Sequence, residues 1–526
     1  MASVFDDTRV RLAELVAALS LGIDLGFGQP MEHVLRQCLI ALRIAERLGL
    51  DEEERSTVYY TALLIDVGCH TDAHEQAKWF GDDIELKADK YGPHELRSFR
   101  TTASGMKRLG AGHPLVQRFR IGVEFAISGH RDVDKMIDHH AEMARTLGAQ
   151  LGLPQAVLDA LSAAYEQWDG KGWPGELKGE AVPLAARLAH FAEFIEVANR
   201  VGGIEEAKAL AKKRRGGQFD PTIADVVVAE GDMILSDLDD VGTWDAVIGI
   251  EPSLSVVLSG DRFDAALMAV ANFIDLKSPY FLGHARGLAE LAAAAGTELG
   301  LSEDDVRALR RAALVQGFGR LGVSNAIWDK RGPLGAGEWE RVRIHPYLTE
   351  RILQQSPALS PLGAIAVQIR ERLDGSGYPR GLSRGAISMP ARILAAADAY
   401  QAMREPRPHR PARSPEDAAN ELKADVKAGR LDDDAVRGVL AAAGHRVSRR
   451  REGPAGLTAR EVDVLRLAAR GLTNKDIAAT LSISPKTVGN HIEHIYMKIG
   501  ASSRAMASLF AMKHGLLPEE ESVISV

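Results

Sequence analysis

Five of the seven residues from 69 to 75 carry side chains that could bind a metal ion: Cys69, His70, Asp72, His74 and Glu75. Thiolate, imidazole and carboxylate groups are common ligands of transition metals in proteins. The spacing of these residues follows no regular ligand pattern, and the sequence that follows, up to about residue 133, is rich in loop-forming residues. We therefore favour a surface loop for this segment, with a metal-ligand cluster as the alternative.

A second segment, residues 374–379, has the composition of a tight turn. It reads Asp-Gly-Ser-Gly-Tyr-Pro, so two glycines allow positive φ angles and Pro379 fixes the direction in which the chain leaves the turn. A related run, Asp-Gly-Lys-Gly-Trp-Pro, occupies residues 169–174. Both runs belong to a longer internal repeat.

The repeat covers two stretches of helical pattern. Residues 32–54 match residues 283–305 at a separation of 251, and residues 166–177 match residues 371–382 at a separation of 205. The first copy is therefore 46 residues longer, and the extra length falls between about residues 69 and 133. Internal repeats indicate the architecture of a chain. Here they predict two copies of one helical domain, the first enlarged by an insertion.

Apolar residues recur at helical spacing along most of the chain, and no convincing run alternates as a strand does. The pattern predicts an all-α fold. We expect the two helical domains at residues 1–228 and 257–446. Charge, Pro and Gly mark residues 447–455 as a linker, and a compact segment follows at 456–517.

The bulk composition narrows the class of protein. A chain of 526 residues is too long for one core, and its net charge of −8 argues against a nucleic-acid coat or a membrane-surface protein over its whole length. Two cysteines are too few for a disulfide framework. The first residues lack a signal-peptide pattern, and no apolar run approaches the roughly 18 to 20 residues that span a bilayer. We expect a cytoplasmic protein that does not enter the membrane.

The compact segment at 456–517 carries several helix start signals. Thr458 and Glu461 form a capping box, and Thr473 caps the next helix. Ser484 followed by Pro485 opens a longer amphipathic helix. A short helix, a tight turn and a longer helix form a helix-turn-helix pattern, and the formal charge of residues 456–513 is +4.

This segment closely resembles the LuxR-type DNA-binding domain through LTARE, GLTNKDIA, LSISPKTVGNHI and KIG. The resemblance implies double-stranded DNA as the partner, a recognition helix at 485–498 and a homodimer with 504–515 as the partner helix. Lysine would hold phosphates, and asparagine can pair with an adenine edge. The candidate DNA-binding residues are Thr473, Asn474, Lys475, Lys486, Thr487, Asn490, His491, His494 and Lys498. For each of them, a solvated helix position is the alternative.

Gly489 and Glu493 depart from this resemblance, because many LuxR-type domains carry basic residues at these two places. The change weakens the expected contact with phosphate but leaves the fold. Val488, Ile492 and Ile495 are expected in the core of the domain.

The second helical domain resembles HD-GYP phosphohydrolases through matching segments in order, from DLKSPYFLGHARGLAELA to DGSGYPRGL and ARILAAADAYQAM. Hydrolases of the HD type activate water with a pair of divalent ions, usually iron or manganese. By this resemblance His284, His345 and Asp398 stand at ligand positions. The namesake His-Asp pair has become Gln316-Gly317, and the later His-His pair has become Ile369-Arg370.

The first copy has lost ligands at overlapping places. By the resemblance His33 and Asp66 remain, and either His139 or His140 stands for the middle histidine. The replaced positions are Ile65, Ala164, Tyr165 and Glu193. In the second copy, Arg320 stands where the family carries the lysine that accompanies the namesake His-Asp pair.

These losses favour a DNA-binding transcriptional regulator whose HD-GYP-like domains are non-catalytic and serve in sensing or dimerisation. The alternative is a metal-dependent phosphohydrolase of the cyclic-dinucleotide phosphodiesterase type, fused to a DNA-binding domain. We accordingly expect no enzyme activity and no cofactor, with one weakly held divalent metal as the alternative. A small molecule or nucleotide is the effector that the altered pockets would bind.

Overall fold

The structure is a computed structural model that describes residues 9–88, 109–110, 115–125, 130–238, 242–252, 255–446, 454–481 and 483–517. The chain forms two compact units, the first ending at His445 and the second beginning at Arg446. The described residues are predominantly helical, which confirms the all-α prediction. The strands within them form one antiparallel pair, β1 (Val10–Arg11) with β2 (Val257–Leu258).

The first half of the larger unit, which we define as residues 9–252, is built from helices of uneven length. They are α1 (Leu12–Gly26), α2 (His33–Arg47), α3 (Glu52–Leu64), α4 (Ala73–Phe80), α5 (Asp83–Ala88), α6 (Leu115–Glu124), α7 (His130–Gln150), α8 (Gln155–Ser162), α9 (Leu184–Arg214), α10 (Pro221–Leu235) and α11 (Thr243–Gly249). Short 3-10 helices lie at Val67–His70 and Gly179–Ala181.

The second half of that unit, residues 255–445, follows a similar order of elements. Its helices are α12 (Gly260–Asp275), α13 (His284–Glu298), α14 (Glu303–Val315), α15 (Asn325–Trp328), α16 (Ala336–Leu353), α17 (Ser360–Ala366), α18 (Met389–Arg404), α19 (Pro415–Lys427) and α20 (Asp433–Ala442). Short 3-10 helices lie at Phe318–Gly322, Val367–Arg370 and Arg384–Ala386.

The smaller unit contains α21 (Ala459–Ala469), α22 (Asn474–Leu481), α23 (Pro485–Ile499) and α24 (Arg504–Lys513), preceded by a 3-10 turn at Pro454–Gly456. These helices enclose a core of their own, which includes Val488 and Ile495 and against which Ile492 packs, as the sequence predicted. Across the described ranges, no helix has the length and apolar character needed to cross a membrane.

Helix α1 joins the two halves of the larger unit. Thirteen of its 15 residues are buried, as expected for a helix that is apolar on every side. Its glycines let the second half approach closely, since a Cβ added to Gly22 would lie 3.0 Å from Leu321 Cδ1 and one added to Gly26 would lie 3.3 Å from the Leu321 carbonyl oxygen. The two halves therefore share one interior.

Residues 67–88 also pack against the second half, so the surface loop expected at 69–75 is wrong. Cys69, His70 and Asp72 are buried, and α4 begins at Ala73. The ring of His70 reaches the second half, where its Nε2 lies 2.8 Å from the carbonyl oxygen of Phe273. Sequence spacing did not reveal this burial, because the partner lies 203 residues away. The other predicted insertion residues at 89–108, 111–114 and 126–129 lie outside the described residues.

Asp83, the first residue of α5, is the centre of a buried polar contact between the halves. Its Oδ1 accepts hydrogen bonds of 2.7 Å from the Ser324 hydroxyl and from the Asn325 amide. Its Oδ2 lies 3.2 Å from Lys87 Nζ and 3.5 Å from Lys277 Nζ. Burial alone would raise the pKa of Asp83, but the two lysines and the hydrogen bonds lower it to about 2.

The two halves repeat an unusually close backbone approach. A Cβ added to Gly68 would lie 2.1 Å from the carbonyl oxygen of His140, and one added to Gly319 would lie 1.9 Å from that of His345. Side chains larger than hydrogen do not fit at either glycine. The contacts place His140 in the first half where His345 lies in the second, whereas His139 is exposed.

Candidate functional site

The second half contains a buried polar cluster where the HD-GYP resemblance places its metal ligands. His284 opens α13, where Gly283 has a φ of 76° and Asp275 accepts a 2.8 Å bond from the Ala285 amide. Arg320 comes from the 3-10 helix after α14, and Arg370 from the one after α17. We call the following set the second-half cluster: His284, Gln316, Arg320, His345, Arg370 and Asp398.

Asp398, on α18, lies at the centre of the second-half cluster and is fully buried. Its Oδ2 lies 2.8 Å from Arg370 Nη1, and its Oδ1 lies 3.3 Å from His284 Nε2. The other nitrogen of His284, Nδ1, lies 2.8 Å from Glu405 Oε2. Burial alone would raise the pKa of Asp398, but the charges of Arg370 and His284 hold it below its usual range.

Arg320 is buried beside the ring of Phe281, with its guanidinium carbon 4.8 Å from the ring centroid. Its nearest carboxylate is Asp275, with Nη1 and Oδ1 4.0 Å apart. Burial lowers the pKa of Arg320 to about 10, and the nearby arginines Arg370 and Arg407 act in the same direction. The guanidinium therefore stays charged at neutral pH.

Several buried polar atoms of the second-half cluster lack a hydrogen-bond partner within the part of the chain that the structure describes. They are both side-chain amide atoms of Gln316, Nε2 of His345, Nη1 of Arg320, Nε of Arg370 and Oδ2 of Asp398, whose 2.8 Å approach to Arg370 Nη1 is an ion pair without hydrogen-bond geometry. A buried polar group left without a partner costs about 1–3 kcal/mol. Native proteins carry few of them, and these lie within one small set of side chains.

The second-half cluster does not fit a bridged pair of metal ions. Gln316, Gly317 and Ile369 stand at ligand positions of the HD-GYP resemblance, and Arg370 places its guanidinium on the carboxylate of Asp398. Divalent ions of this type take imidazole and carboxylate ligands. Among the described residues, no three His, Cys, Asp or Glu side chains form a group suited to a metal ion.

The first half holds a buried ion-pair network around His33. Its Nδ1 lies 2.5 Å from Glu196 Oε2, and Arg36 Nε lies 2.9 Å from Glu196 Oε1. Burial alone would raise the pKa of Glu196, but bonding to His33 and the nearby arginines lower it to about 2. Sequence alignment pointed to Glu193, which is also buried, and missed Glu196 one helical turn later.

The retained ligand positions of the first half lie near a second set of buried groups. Asp66 is buried, His140 forms an ion pair with Asp72, and Cys69 Sγ lies 2.8 Å from Tyr165 Oη. Burial opposes protonation of His140, but Cys69 and Asp72 raise its pKa to about 9. These contacts engage the side chains with one another inside the first half.

The Asp-Gly-Ser-Gly-Tyr-Pro loop of the second half is held by Glu371, which the sequence did not single out. The Glu371 carboxylate accepts 2.8 Å hydrogen bonds from the amides of Arg380 and Leu382. A Cβ on Gly377 would lie 2.4 Å from the Arg372 amide nitrogen, so the loop closes tightly on the residues beside Arg370. The loop therefore positions Arg370.

The related loop of the first half is held in the same way. Glu166 Oε1 accepts hydrogen bonds from the amides of Gly175, Glu176 and Leu177, at 3.2, 2.8 and 3.1 Å. A Cβ on Gly172 would lie 2.4 Å from the Gln167 amide nitrogen.

The helix starts of the smaller unit follow the sequence. Thr458 and Glu461 form the predicted capping box at α21, and Thr473 Oγ1 accepts from the Asp476 amide at 3.3 Å at the start of α22. Ser484 caps α23, with Pro485 in its first turn. The helix-turn-helix pattern thus has the predicted local geometry.

The candidate DNA-binding residues fall into two groups. Thr473, Asn474, Lys475, Lys486, Thr487, Asn490 and His494 are exposed, and His491 is half-buried. Lys498 is also exposed, but its ammonium group is engaged within the domain, because Nζ lies 2.8 Å from Glu461 Oε2 and 3.1 Å from the Gly456 carbonyl oxygen. Lys498 therefore supports the capping box of α21. The sequence indicated a DNA contact for it because Lys498 lies on the recognition helix, and no local pattern indicated the bond to Glu461.

Comparison with known proteins bears on both units. The chain matches the HD domain family over residues 268–435 and the luxR family of bacterial regulatory proteins over residues 455–511. It is 32% identical to 3′3′-cGAMP-specific phosphodiesterase 3 of Vibrio cholerae over 413 residues, which cover 76% of this chain and 88% of that protein. The crystal structure of the cyclic GMP-AMP-specific phosphodiesterase V-cGAP3 of V. cholerae matches with a TM-score of 0.58 and 28% identity, covering 84% of this chain and 99% of that one.

Two further relatives match shorter segments. 3′3′-cGAMP-specific phosphodiesterase 1 of V. cholerae is 35% identical over 185 residues, which cover 35% of this chain and 41% of that protein. An HTH-type transcriptional regulator of Mycobacterium bovis is 46% identical over 63 residues, which cover 12% of this chain and 7% of that protein.

Two expectations from the sequence are wrong in the light of these relatives. We expected no enzyme activity and no cofactor, because ligand positions were substituted in both copies. The relative that aligns with 76% of this chain is a phosphodiesterase, and hydrolases of the HD type use divalent metal ions. The chain belongs to the HD-domain phosphodiesterase family, and it carries a luxR-family helix-turn-helix domain in its smaller unit.

Proposed function

We propose that this protein is a cyclic-dinucleotide phosphodiesterase joined to a DNA-binding domain. The observation that carries the proposal is the 32% identity with 3′3′-cGAMP-specific phosphodiesterase 3 over 76% of the chain. The substrate is a cyclic dinucleotide of the 3′3′-cGAMP class, and the second half takes it, because that half contains the HD-domain match. The protein acts in the cytoplasm, where both a cyclic dinucleotide and DNA are available.

The larger unit arose from two copies of one helical domain, with boundaries near residues 1–228 and 257–446. A linker at 447–455 then leads to the DNA-binding domain at 456–517. The shared glycine–histidine approach supports the duplication, as do the two glutamates that hold the Gly-rich loops. The second copy is the substrate-binding one. The first copy supports it through α1 and through the contacts of Asp83.

Double-stranded DNA is the ligand of the smaller unit, and the protein binds it as a homodimer. Helix α23 enters the major groove, with Lys486 on phosphate and Asn490 on a base edge. Helix α24 supplies the dimer contact, because Met506, Leu509 and Met512 are 48%, 62% and 61% exposed at helical spacing. A cyclic dinucleotide in the larger unit regulates the affinity for DNA.

Incubation of the full-length protein with 3′3′-cGAMP, followed by chromatography of the products, tests the proposed function. We expect conversion of the cyclic dinucleotide to a linear one. The described donor groups do not fit a metal pair, so the assay is run after chelation and again with added manganese or iron. An intact nucleotide under every condition, from a protein that melts cooperatively, would contradict the proposal.

A further inference from the structure

We infer that the second half binds a phosphodiester anion through Arg320 and Arg370, at the position where HD-type hydrolases place metal ions. The inference rests on the proposed function, since it takes a cyclic dinucleotide as the source of the phosphodiester. It concerns how this chain holds the phosphate, given that its described residues do not fit a metal pair.

The guanidinium of Arg370 neutralises the buried carboxylate of Asp398. Arg370 Nη1 and Nη2 lie 2.8 and 3.4 Å from the two oxygens of Asp398. By the HD-GYP resemblance, a metal ion here would neutralise the aspartate and present positive charge to the substrate. Arg370 neutralises Asp398 in the same way. Because its side chain is 25% exposed, it can also present positive charge to a substrate.

Arg320 and Arg407 provide a second source of positive charge. Their guanidinium carbons lie 4.8 and 5.5 Å from the ring centroid of Phe281. Arg407 also pairs with Glu405 at 2.8 Å, whereas Arg320 has no carboxylate oxygen closer than 4.0 Å within the described ranges. Burial lowers the pKa of Arg320 to about 10; Asp275 and Asp398 oppose this shift, and Arg370 and Arg407 add to it.

The unmade hydrogen bonds of the second-half cluster match this kind of ligand. Nη1 of Arg320, Nε of Arg370 and Nε2 of Gln316 are donors without a partner within the described residues. Phosphate oxygens accept such bonds, and guanidinium groups bind phosphate in a fixed fork geometry. An acceptor-rich ligand could therefore bond to three donors of this one cluster.

His345 adds an acceptor beside these donors. Its Nδ1 lies 2.6 Å from the Val342 carbonyl oxygen, so Nδ1 carries the proton and Nε2 presents a lone pair. A ribose hydroxyl next to a phosphodiester supplies the donor that Nε2 lacks.

Three carboxylates offset much of the positive charge of the arginines. Asp275, Asp398 and Glu405 face the arginines, so the site gains little from net charge alone. These carboxylates hold the guanidinium groups in place, and the remaining N–H groups are what a phosphate would bind. Affinity should therefore depend on individual arginines more than on ionic strength.

Isothermal titration of the full-length protein with 3′3′-cGAMP tests the inference, once after chelation and once with manganese. The variants are Arg320→Gln and Arg370→Gln, with Arg370→Lys as the conservative change. Arg343→Gln is the matched control, because Arg343 lies on α16 with its side chain 56% exposed. Thermal melting of each variant checks the fold, and Arg370→Gln keeps the test valid if loss of the buried Arg320 unfolds the protein.

We expect binding that survives chelation, at least about a tenfold loss for either glutamine variant, an intermediate value for Arg370→Lys and no change for the control. Binding that requires manganese, or glutamine variants that bind like the parent, would overturn the arginine site while leaving the proposed function intact. Absence of binding in every condition would overturn both.

Discussion

Glu371 lies next to Arg370 and holds the adjoining loop through both of its carboxylate oxygens. The change Glu371→Ala leaves the amides of Arg380 and Leu382 without their acceptor. Because buried donors without partners cost about 1–3 kcal/mol, we expect a lower free energy of unfolding of that order for the larger unit. Urea denaturation followed by circular dichroism measures it.

Glu340→Ala is the matched control for this change. Glu340 lies on α16 with its side chain 73% exposed, and its ion pair in the described structure is a surface contact with Arg343 at 3.4 Å. The control is expected to unfold within about 0.5 kcal/mol of the parent. Equal destabilisation by the two changes would mean that Glu371 does not anchor the loop.

Two lysines of the recognition helix are expected to behave differently. Lys486 is exposed at the first turn of α23, whereas Lys498 bonds to Glu461. Lys486→Ala should weaken DNA binding and reduce the slope of log affinity against log salt by about 1, as loss of one phosphate contact does. Lys498→Ala should leave that slope unchanged and lower the melting temperature of the smaller unit.

Fluorescence anisotropy of a labelled duplex over a salt series measures both slopes. The operator is first selected from random DNA with the parent protein. Equal slopes for the parent and Lys486→Ala would remove Lys486 from the DNA contact.

Residue types at the candidate site were predictable from the sequence, but their partners were not. His33, His284 and Asp398 stood out by resemblance, and all are buried in polar networks. Glu196 and Glu371 did not stand out, because the bonds that matter join His33 to a residue 163 positions away and Glu371 to its own loop. Tertiary folding brings such pairs together, and no local pattern records them.

At the scale of elements, α5 is attached to the second half by Asp83, and this contact should respond to acid. The pKa of Asp83 is about 2 in the folded protein, below its ordinary value of 3.8. A lowered carboxylate pKa stabilises the fold above the unfolded value and loses that contribution as pH falls through the folded value. We therefore expect a loss on the order of 2 kcal/mol between about pH 4 and pH 2.

The variant Asp83→Asn isolates this contribution. It should be less stable than the parent at neutral pH, because Lys87 and Lys277 lose their anion, but its stability should fall less steeply below pH 4. Urea midpoints at a series of pH values give both quantities. Parallel acid profiles for the two proteins would show that Asp83 is not the group that titrates.

Helix α24 is the element expected to join two copies of the smaller unit. Leu509→Lys places a charge in the middle of the exposed apolar stripe of Met506, Leu509 and Met512, so we expect a monomer where the parent is a dimer. Light scattering after size-exclusion chromatography measures the mass. Ser508→Lys adds the same charge beside the stripe and should remain dimeric; a dimeric Leu509→Lys protein would place the interface elsewhere.

Elements with strong local signals followed the sequence closely. The capping box of Thr458 and Glu461 and the Ser484–Pro485 start of α23 appear as expected, because each depends on residues within one helical turn. The segment at 69–75 did not, since its burial depends on Phe273 and other residues of the second half. Local chemistry therefore predicted helix ends better than it predicted exposure.

At the scale of the whole molecule, the internal repeat indicated two similar halves but not their shared interior. Helix α1 is so apolar that its burial could be foreseen, yet its contact with Leu321 joins segments about 300 residues apart. The substituted ligand positions led us to expect no enzyme, whereas the relatives that cover most of the chain are phosphodiesterases. Ligand identity at a few positions was a poorer guide to family function than similarity along the whole length.

Turnover of 3′3′-cGAMP by the full-length protein tests the central claim most directly. The nucleotide is incubated with the parent and with Arg370→Gln, and linear product is measured over time by chromatography. Our account predicts product from the parent and at least about a tenfold lower rate from the variant at subsaturating nucleotide. No product from the parent, with chelator or with added manganese or iron, would contradict it.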